Sequence, residues 1–314
     1  VNKPRFLLIS LVLVSHVLVF GLARLLSMKI DFEPLLNLYG LIIVVFGSGI
    51  LYASLRNMPP LRMALECVAY GFILTVPAAI ATYLAIKVNM PLADEALVRM
   101  DAALHFDWHA FIRFIDERRL LAMSLAAAYF SFSFQLLGIP LLLVMFGRGP
   151  RAYAMVASYG LICFVASLIS IWYPALGTYV VYGVSQEQLS HINAEFGFYF
   201  LQQFNAVRSD PDFVFSINRL AGILTFPSVH AAVAALCAWA MWDVKWLRYP
   251  FAVWNSMMAI SAVSHANHYL VDVIAGVGVA GLVIAVVSMI CGSQLTRAHT
   301  RSIFKGPLPV SSIH

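Results

Sequence analysis

Long apolar runs separated by short polar stretches organise this chain. A helix that crosses a bilayer needs about 20 mostly apolar residues. That rule predicts eight spans: Phe6–Leu26, Leu35–Leu55, Ala64–Ile86, Leu120–Phe146, Ala154–Leu176, Gly222–Trp242, Pro250–Ser264 and Tyr269–Ile290. The seventh is the shortest. The first is long and is followed by no small-residue cleavage site, so it is expected to be a retained span and not a signal peptide. Two stretches, Lys87–Arg119 and Gly177–Ala221, are too polar to lie within the membrane. With eight spans both fall on one side. Arg56–Arg62, Gly147–Arg151, Asp243–Arg248 and both termini fall on the other. Within Lys87–Arg119, Leu97, Met100, Leu104, Trp108, Phe111 and Ile115 recur at spacings of three and four, with Asp94, Asp101, His105, His109 and Asp116 mostly opposite. The pattern predicts an amphipathic helix in the membrane plane. It could be structural, or it could gate lipid access or hold a substrate headgroup.

Composition strengthens this picture. Of 314 residues, 61% are hydrophobic and only 11% charged, with mean hydropathy +0.85. Soluble domains carry about 45–50% apolar and about 25% charged residues, so a water-facing surface could not be covered. The net charge of +5 does not point to nucleic acid, because the basic residues are scattered through short inter-helix stretches. The side holding the termini has eleven Lys/Arg, with Asp243 the only acid clearly in a loop; the other has nine Lys/Arg and twelve Asp/Glu over far more chain. The positive-inside rule then makes both termini cytoplasmic. The long loops face the periplasm, exterior or lumen. The tail after Ser293, with Arg297, Arg301 and Lys305, is expected near anionic lipid heads. Cys67, Cys163, Cys237 and Cys291 all fall in apolar runs, which argues for packing over a disulfide framework or metal site.

Ionisable groups inside membrane segments are costly and suggest function. Glu66 sits beside Arg62 at a span end, and His16 reads as a lone packing histidine. The others cluster at the outer ends of the last three spans. Thr225-Phe-Pro-Ser-Val-His230 precedes an apolar helical run. Pro227 suits a first helical turn, and Ser228 with free N–H groups would form an anion cradle that His230 can reach. The bland alternative is a Pro-Ser helix start with an incidental histidine. His268-Tyr-Leu-Val-Asp272 has the i, i+4 spacing that puts both side chains on one helix face. A carboxylate accepting one imidazole N–H leaves the other nitrogen free as nucleophile or base, as in a catalytic triad. A packing pair without catalysis has the same spacing.

Together, Pro227-Ser228-x-His230 and His268-x-x-x-Asp272, the latter within Tyr-Leu-Val-Asp-Val-Ile-Ala-Gly, resemble the type 2 phosphatidic acid phosphatase superfamily. They are closest to its inositol phosphorylceramide synthase-like branch, as is Asp-Ala-Ala-Leu-His-Phe-Asp-Trp over Asp101–Trp108. The resemblance implies in-line phosphoryl transfer through a phosphohistidine, with no metal and no other cofactor. His268 would be the nucleophile, Asp272 its orienting carboxylate, His230 the acid that protonates the leaving oxygen, and Ser228 a phosphate-binding hydroxyl. The chain departs from the phosphatase members in having no Arg-Pro dipeptide, and in having Ser261-Ala262 where they carry Ser-Arg. Charge developing on a transferring phosphoryl group needs cationic or N–H partners. Arg208 and Arg219 are the nearest candidates in sequence, while His265 reads as structural.

The expected fold is therefore all-α and polytopic: a two-span extension (1–63), a six-span phosphatase-type core (64–292), an interfacial helix and a cytoplasmic tail (293–314). The expected activity is a lipid phosphotransferase, with a membrane lipid as substrate and a lipid alcohol as acceptor; with water as acceptor it becomes a lipid phosphatase. A haem-binding electron carrier using His230 with His265 or His268, and a lipid transporter, are rivals from other classes. The lack of long soluble domains favours a bacterial inner membrane.

Overall fold

The computed structural model describes residues 2–295, and the chain is almost entirely helical. The principal helices are α1 (Lys3–Leu25), α2 (Phe32–Leu55, with a π segment at Ile43–Gly47), α3 (Pro59–Lys87), α4 (Asp94–Ala103), α5 (Trp108–Asp116), α6 (Arg119–Met145), α7 (Gly149–Ser170), α8 (Leu201–Ser209), α9 (Val229–Met241), α10 (Arg248–His265) and α11 (Leu270–Cys291). The predicted cytoplasmic tail lies almost wholly outside the described residues.

Sequence punctuation sets these helices. Asn2 caps α1 by accepting the Arg5 N–H at 3.3 Å, and prolines open α1, α3 and α7, where no intrahelical partner is needed for their missing N–H. Among the described residues, α1, α2, α3, α6, α7 and α11 are long and apolar enough to cross a membrane. A helix stands at each of the eight predicted span positions. The predicted span Gly222–Trp242, however, is helical only from Val229. Residues 222–228 are non-helical and largely buried. Irregular backbone at membrane depth is tolerated where protein surrounds it, and Thr225 donates its hydroxyl to Ala175 O at 2.9 Å.

The 13-residue α9 is the hub, packed by α6, α7, α10 and α11, and its buried face of Ala232, Val233, Leu236, Cys237 and Ala240 joins the main apolar core. Helix α1 packs along α3 and α7, whereas α2 lies outermost against α3. A buried carboxylate needs partners. Glu66, 2% exposed, accepts two bonds from Arg5 (2.6 and 2.9 Å) and one from the Tyr153 hydroxyl (2.6 Å), which ties α1 to α3 and α7. Arg62 is also within 3.4 Å. Lys3 N–H donates to Gln294 Oε1, so the start of α1 and the residues just after α11 meet on one side. His16 bridges Val12 O and the Tyr39 hydroxyl across α1 and α2, the contacts of a packing histidine. At the opposite end, Lys29–Ile30 pairs in parallel with Val214–Phe215.

The predicted amphipathic helix is two helices, broken where His105 adopts φ +56°. Its polar side also differs from expectation. Asp94 and Asp101, expected to face water, are 7% and 2% exposed, while Met100, expected on the apolar face, is 42% exposed. The two acids turn inward because unpaired backbone N–H groups of neighbouring segments wait there. Helix α5 does bury Trp108, Ile112 and Ile115, but against Leu125, Tyr179 and Ile192 of the protein.

Candidate functional site

The start of α9 and the junction between α10 and α11 meet at the end of the molecule where both long loops fold. Ser228 is the N-cap of α9, accepting the Ala231 N–H on its hydroxyl oxygen at 3.3 Å, so Pro227 precedes the cap and is not in the first turn. The Ser228 N–H donates to Asp272 O at 3.0 Å, locking the first turn of α9 onto the first turn of α11. This contact is close because residue 276 is glycine. A Cβ at Gly276 would lie 2.2 Å from Ser228 O.

His268 follows Asn267, whose backbone is left-handed (φ +68°) and whose side chain is fully buried. That amide donates to Leu176 O (2.7 Å) and Gly197 O (3.0 Å) and accepts the Tyr179 N–H (2.5 Å). Gly177, at φ +88°, leaves the room, since a Cβ there would lie 2.4 Å from the Asn267 amide. Asn267 thus fixes the chain just ahead of His268. His268 Nδ1 lies 3.1 Å from Asp272 Oδ2, and the same oxygen accepts the Tyr269 N–H at 2.9 Å. Asp272 is fully buried and His268 is 4% exposed. Against an ionised carboxylate the proton belongs on Nδ1, which leaves the Nε2 lone pair free.

His230 stacks on Tyr129, with ring centroids 4.3 Å apart and 15° between planes, and packs against Phe132 at 4.4 Å. Both histidines line one cavity of about 640 Å³ between α3, α6, α7 and residues 220–225. Its walls are mainly apolar and run down α3 as far as Cys67. From Thr82 to Cys67 a helix descends about 22 Å at about 1.5 Å per residue. Phe72, Phe130 and Leu137 of its wall are each more than a third exposed.

The structure thus brings His230, His268 and Asp272 together and treats the other predicted site residues differently. Ser228 lies beside them but is fully buried, its oxygen engaged as the cap. The N–H groups of Val229 and His230, the first two of α9, have no carbonyl within the helix to serve them. They are the better placed for an anion. Arg208 and Arg219 do not line the cavity. Phe204 and Val207 bury α8 against the C-terminal end of α3, which sends Arg208 to Met90 O (3.0 Å) and over the Phe204 ring, and Arg219 lies exposed on the turn Ile217–Arg219. Neither arginine is brought to the two histidines in this arrangement. His265 is 1% exposed, 2.9 Å from Ser264 Oγ, and also lies off the cavity wall. Among the described residues, no group of three or more His, Cys, Asp or Glu side chains is disposed to hold a metal ion.

Sequence reasoning missed Asn267, Gly276 and the inward-facing Asp94 and Asp101. Asparagine directly after a helix is a signal for a left-handed cap, and a small residue one turn beyond Asp272 signals close helix approach. Nothing in the periodicity marked the two acids.

The PAP2 superfamily model matches residues 95–286, which is 192 of the 314 residues and runs from α4 into α11. No curated protein and no solved structure matches the chain.

Proposed function

The chain belongs to the PAP2 superfamily, whose members are phosphatases or phosphotransferases acting on phosphate esters, and on that premise we propose that it transfers a phosphate-bearing headgroup from a membrane phospholipid to a lipid alcohol. The observation that carries the reading is the His268–Asp272 pair, whose imidazole lines the same apolar cavity as His230. His268 Nε2 attacks phosphorus in line, forming an N–P bond as the bond from phosphorus to the lipid oxygen breaks. His230 gives its proton to the departing alkoxide, releasing diacylglycerol. The hydroxyl of the acceptor then attacks phosphorus, returns a proton to His230 and frees His268. Asp272 holds the Nδ1 proton and stabilises positive charge on the ring. The N–H groups at the start of α9 meet the charge that develops on the phosphoryl oxygens.

Headgroup transfer is favoured over hydrolysis by the likeness of Phe-Pro-Ser-Val-His230 and His268-Tyr-Leu-Val-Asp272 to the inositol phosphorylceramide synthase-like branch, and by a cavity with room for a long chain beside the histidines. The catalytic unit is residues 64–292, with residues 1–63 as an extension and 293–314 as a cytoplasmic tail. The site faces away from the cytoplasm, both termini face it, and a bacterial inner membrane is the home the chain suits best. The test is a lipid assay on purified protein in detergent micelles. Phosphatidylinositol and phosphatidic acid are supplied with and without ceramide or diacylglycerol, and new lipids and free phosphate are scored by mass. Acceptor-dependent headgroup lipid that disappears in His268→Ala supports transfer. Free phosphate that forms without an acceptor and disappears in His268→Ala replaces transfer with hydrolysis.

A further inference from the structure

Helices α4 and α11 are joined by bonds that the chemistry above does not use. Asp101 Oδ2 accepts the Leu270 N–H and Asp101 Oδ1 accepts the Val271 N–H, both at 2.9 Å. These are the first two N–H groups of α11, which no carbonyl of that helix can serve. Asp101 therefore caps α11 from another helix, with its negative charge at the positive end of the α11 dipole. Seven residues earlier, Asp94 Oδ1 accepts the Tyr269 hydroxyl at 2.8 Å and the Gly177 N–H at 2.9 Å, while Oδ2 accepts the Leu176 N–H at 3.0 Å. Residues 269, 270 and 271 are thus held from α4 by two carboxylates. They are also the three residues between His268 and Asp272, and any tilt of this turn changes how the imidazole meets its carboxylate.

We propose that Asp101, supported by Asp94, is the positioning residue that aims His268 at phosphorus, through its bonds to the main chain of Leu270 and Val271. The inference rests on the reading of His268 as nucleophile. It makes the outer helix α4 part of the reaction's precision, although its acids lie over 160 residues from the histidine in sequence. Asparagine at 101 keeps one acceptor oxygen and turns an NH2 group toward the second N–H, so that bond is lost and the turn relaxes. A misplacement of about 1 Å at a reacting atom costs on the order of 100-fold.

The experiment measures kcat and KM of the purified full chain with the phospholipid it turns over, for wild type, Asp101→Asn, Tyr269→Phe and His268→Ala, together with thermal unfolding in the same micelles. The expected result for Asp101→Asn is a fall in kcat of about 10- to 100-fold with KM within about twofold. Tyr269→Phe removes the hydroxyl bond to Asp94 and is expected to lower kcat by about fivefold with KM within about twofold and a fall in unfolding temperature of only a few degrees, which keeps the test decisive should Asp101→Asn unfold. Wild-type kcat in both variants overturns the proposal. So does a loss in which kcat, KM and unfolding temperature all deteriorate together in Tyr269→Phe. Activity retained in His268→Ala instead overturns the reading of the site, whereas inactive His268→Ala beside fully active Asp101→Asn and Tyr269→Phe overturns only the role of α4.

Discussion

Replacing Gly276 by alanine tests how closely the two halves of the site are coupled. The added Cβ would lie 2.2 Å from Ser228 O, 3.1 Å from Ser228 C and 3.3 Å from Ala232 N. All three are main-chain atoms, so no side chain can swing aside. Relief to 3.0 Å requires the first turn of α9 to retreat from α11 by about 0.8 Å. Overpacking of this kind costs about 1–3 kcal/mol. The same retreat stretches the 3.0 Å bond from Ser228 N–H to Asp272 O and carries His230 away from His268. A displacement of about 1 Å between groups that act together costs on the order of 100-fold in rate. Gly278, on the same helix, is the internal control, because a Cβ there meets nothing within 4 Å, and glycine to alanine inside a helix gains about 0.5–1 kcal/mol. The assay is kcat for the lipid reaction together with thermal unfolding in detergent. Gly276→Ala is expected to lose both activity and stability, and Gly278→Ala to lose neither. Gly276→Ala with wild-type kcat would refute the coupling of α9 to α11.

Other expectations follow from the same geometry. Asp272→Asn keeps the size of the side chain but removes the charge that orients and stabilises the imidazole, so kcat is expected to fall by about 10³- to 10⁴-fold while the protein remains folded; a loss under tenfold contradicts the orienting role. Thr75→Trp fills the cavity midway along α3 and is expected to raise KM for a long-chain phospholipid about tenfold with kcat little changed, sparing a short-chain analogue; equal effects on both chain lengths contradict an acyl slot. The loop over residues 186–194 should respond to acid through Asp116. Burial alone would raise the pKa of its carboxyl, but main-chain N–H groups of Ser190 (2.8 Å), His191 (2.7 Å) and Ile192 (2.9 Å) hold it below the usual value. A depressed carboxylate stabilises the fold above its unfolded pKa of about 3.9, and that contribution fades as pH falls through the lower folded value. Protease cleavage within residues 186–194 is therefore expected to stay slow from about pH 5 upward and to rise only below about pH 4. A rise near pH 6 would sink this account.

The lipid-facing helices were legible in the sequence because the bilayer imposes a long, uninterrupted apolar run on each of them. The candidate site residues were legible because histidine and aspartate are rare in such runs, and i, i+4 spacing on a helix makes His268 and Asp272 neighbours by geometry alone. The start of α9 was not, since a buried extended segment such as 222–228 is as apolar as a helix, and its end is set by the Ser228 cap and by packing on α11. The acids of α4 were misplaced because periodicity reports which residues are polar and says nothing of unpaired N–H groups on a partner. Asp94 and Asp101 are polar residues facing polar backbone inside the protein. Arg208 and Arg219 lie away from the cavity for a related reason. Proximity in sequence to Pro227 placed them near the site, while Phe204 and Val207 docked their loop elsewhere.

The most direct test of the central claim is to trap the covalent intermediate. Purified wild type and His268→Ala are mixed with phospholipid radiolabelled at phosphorus, quenched within the first turnover, and the protein-bound label is challenged with acid and with base. The account expects wild type to carry a label that is stable to base and lost in acid, as an N–P bond is, and His268→Ala to carry none. Label that persists in His268→Ala, or product formed by wild type with no labelled protein at any quench time, would contradict transfer through His268.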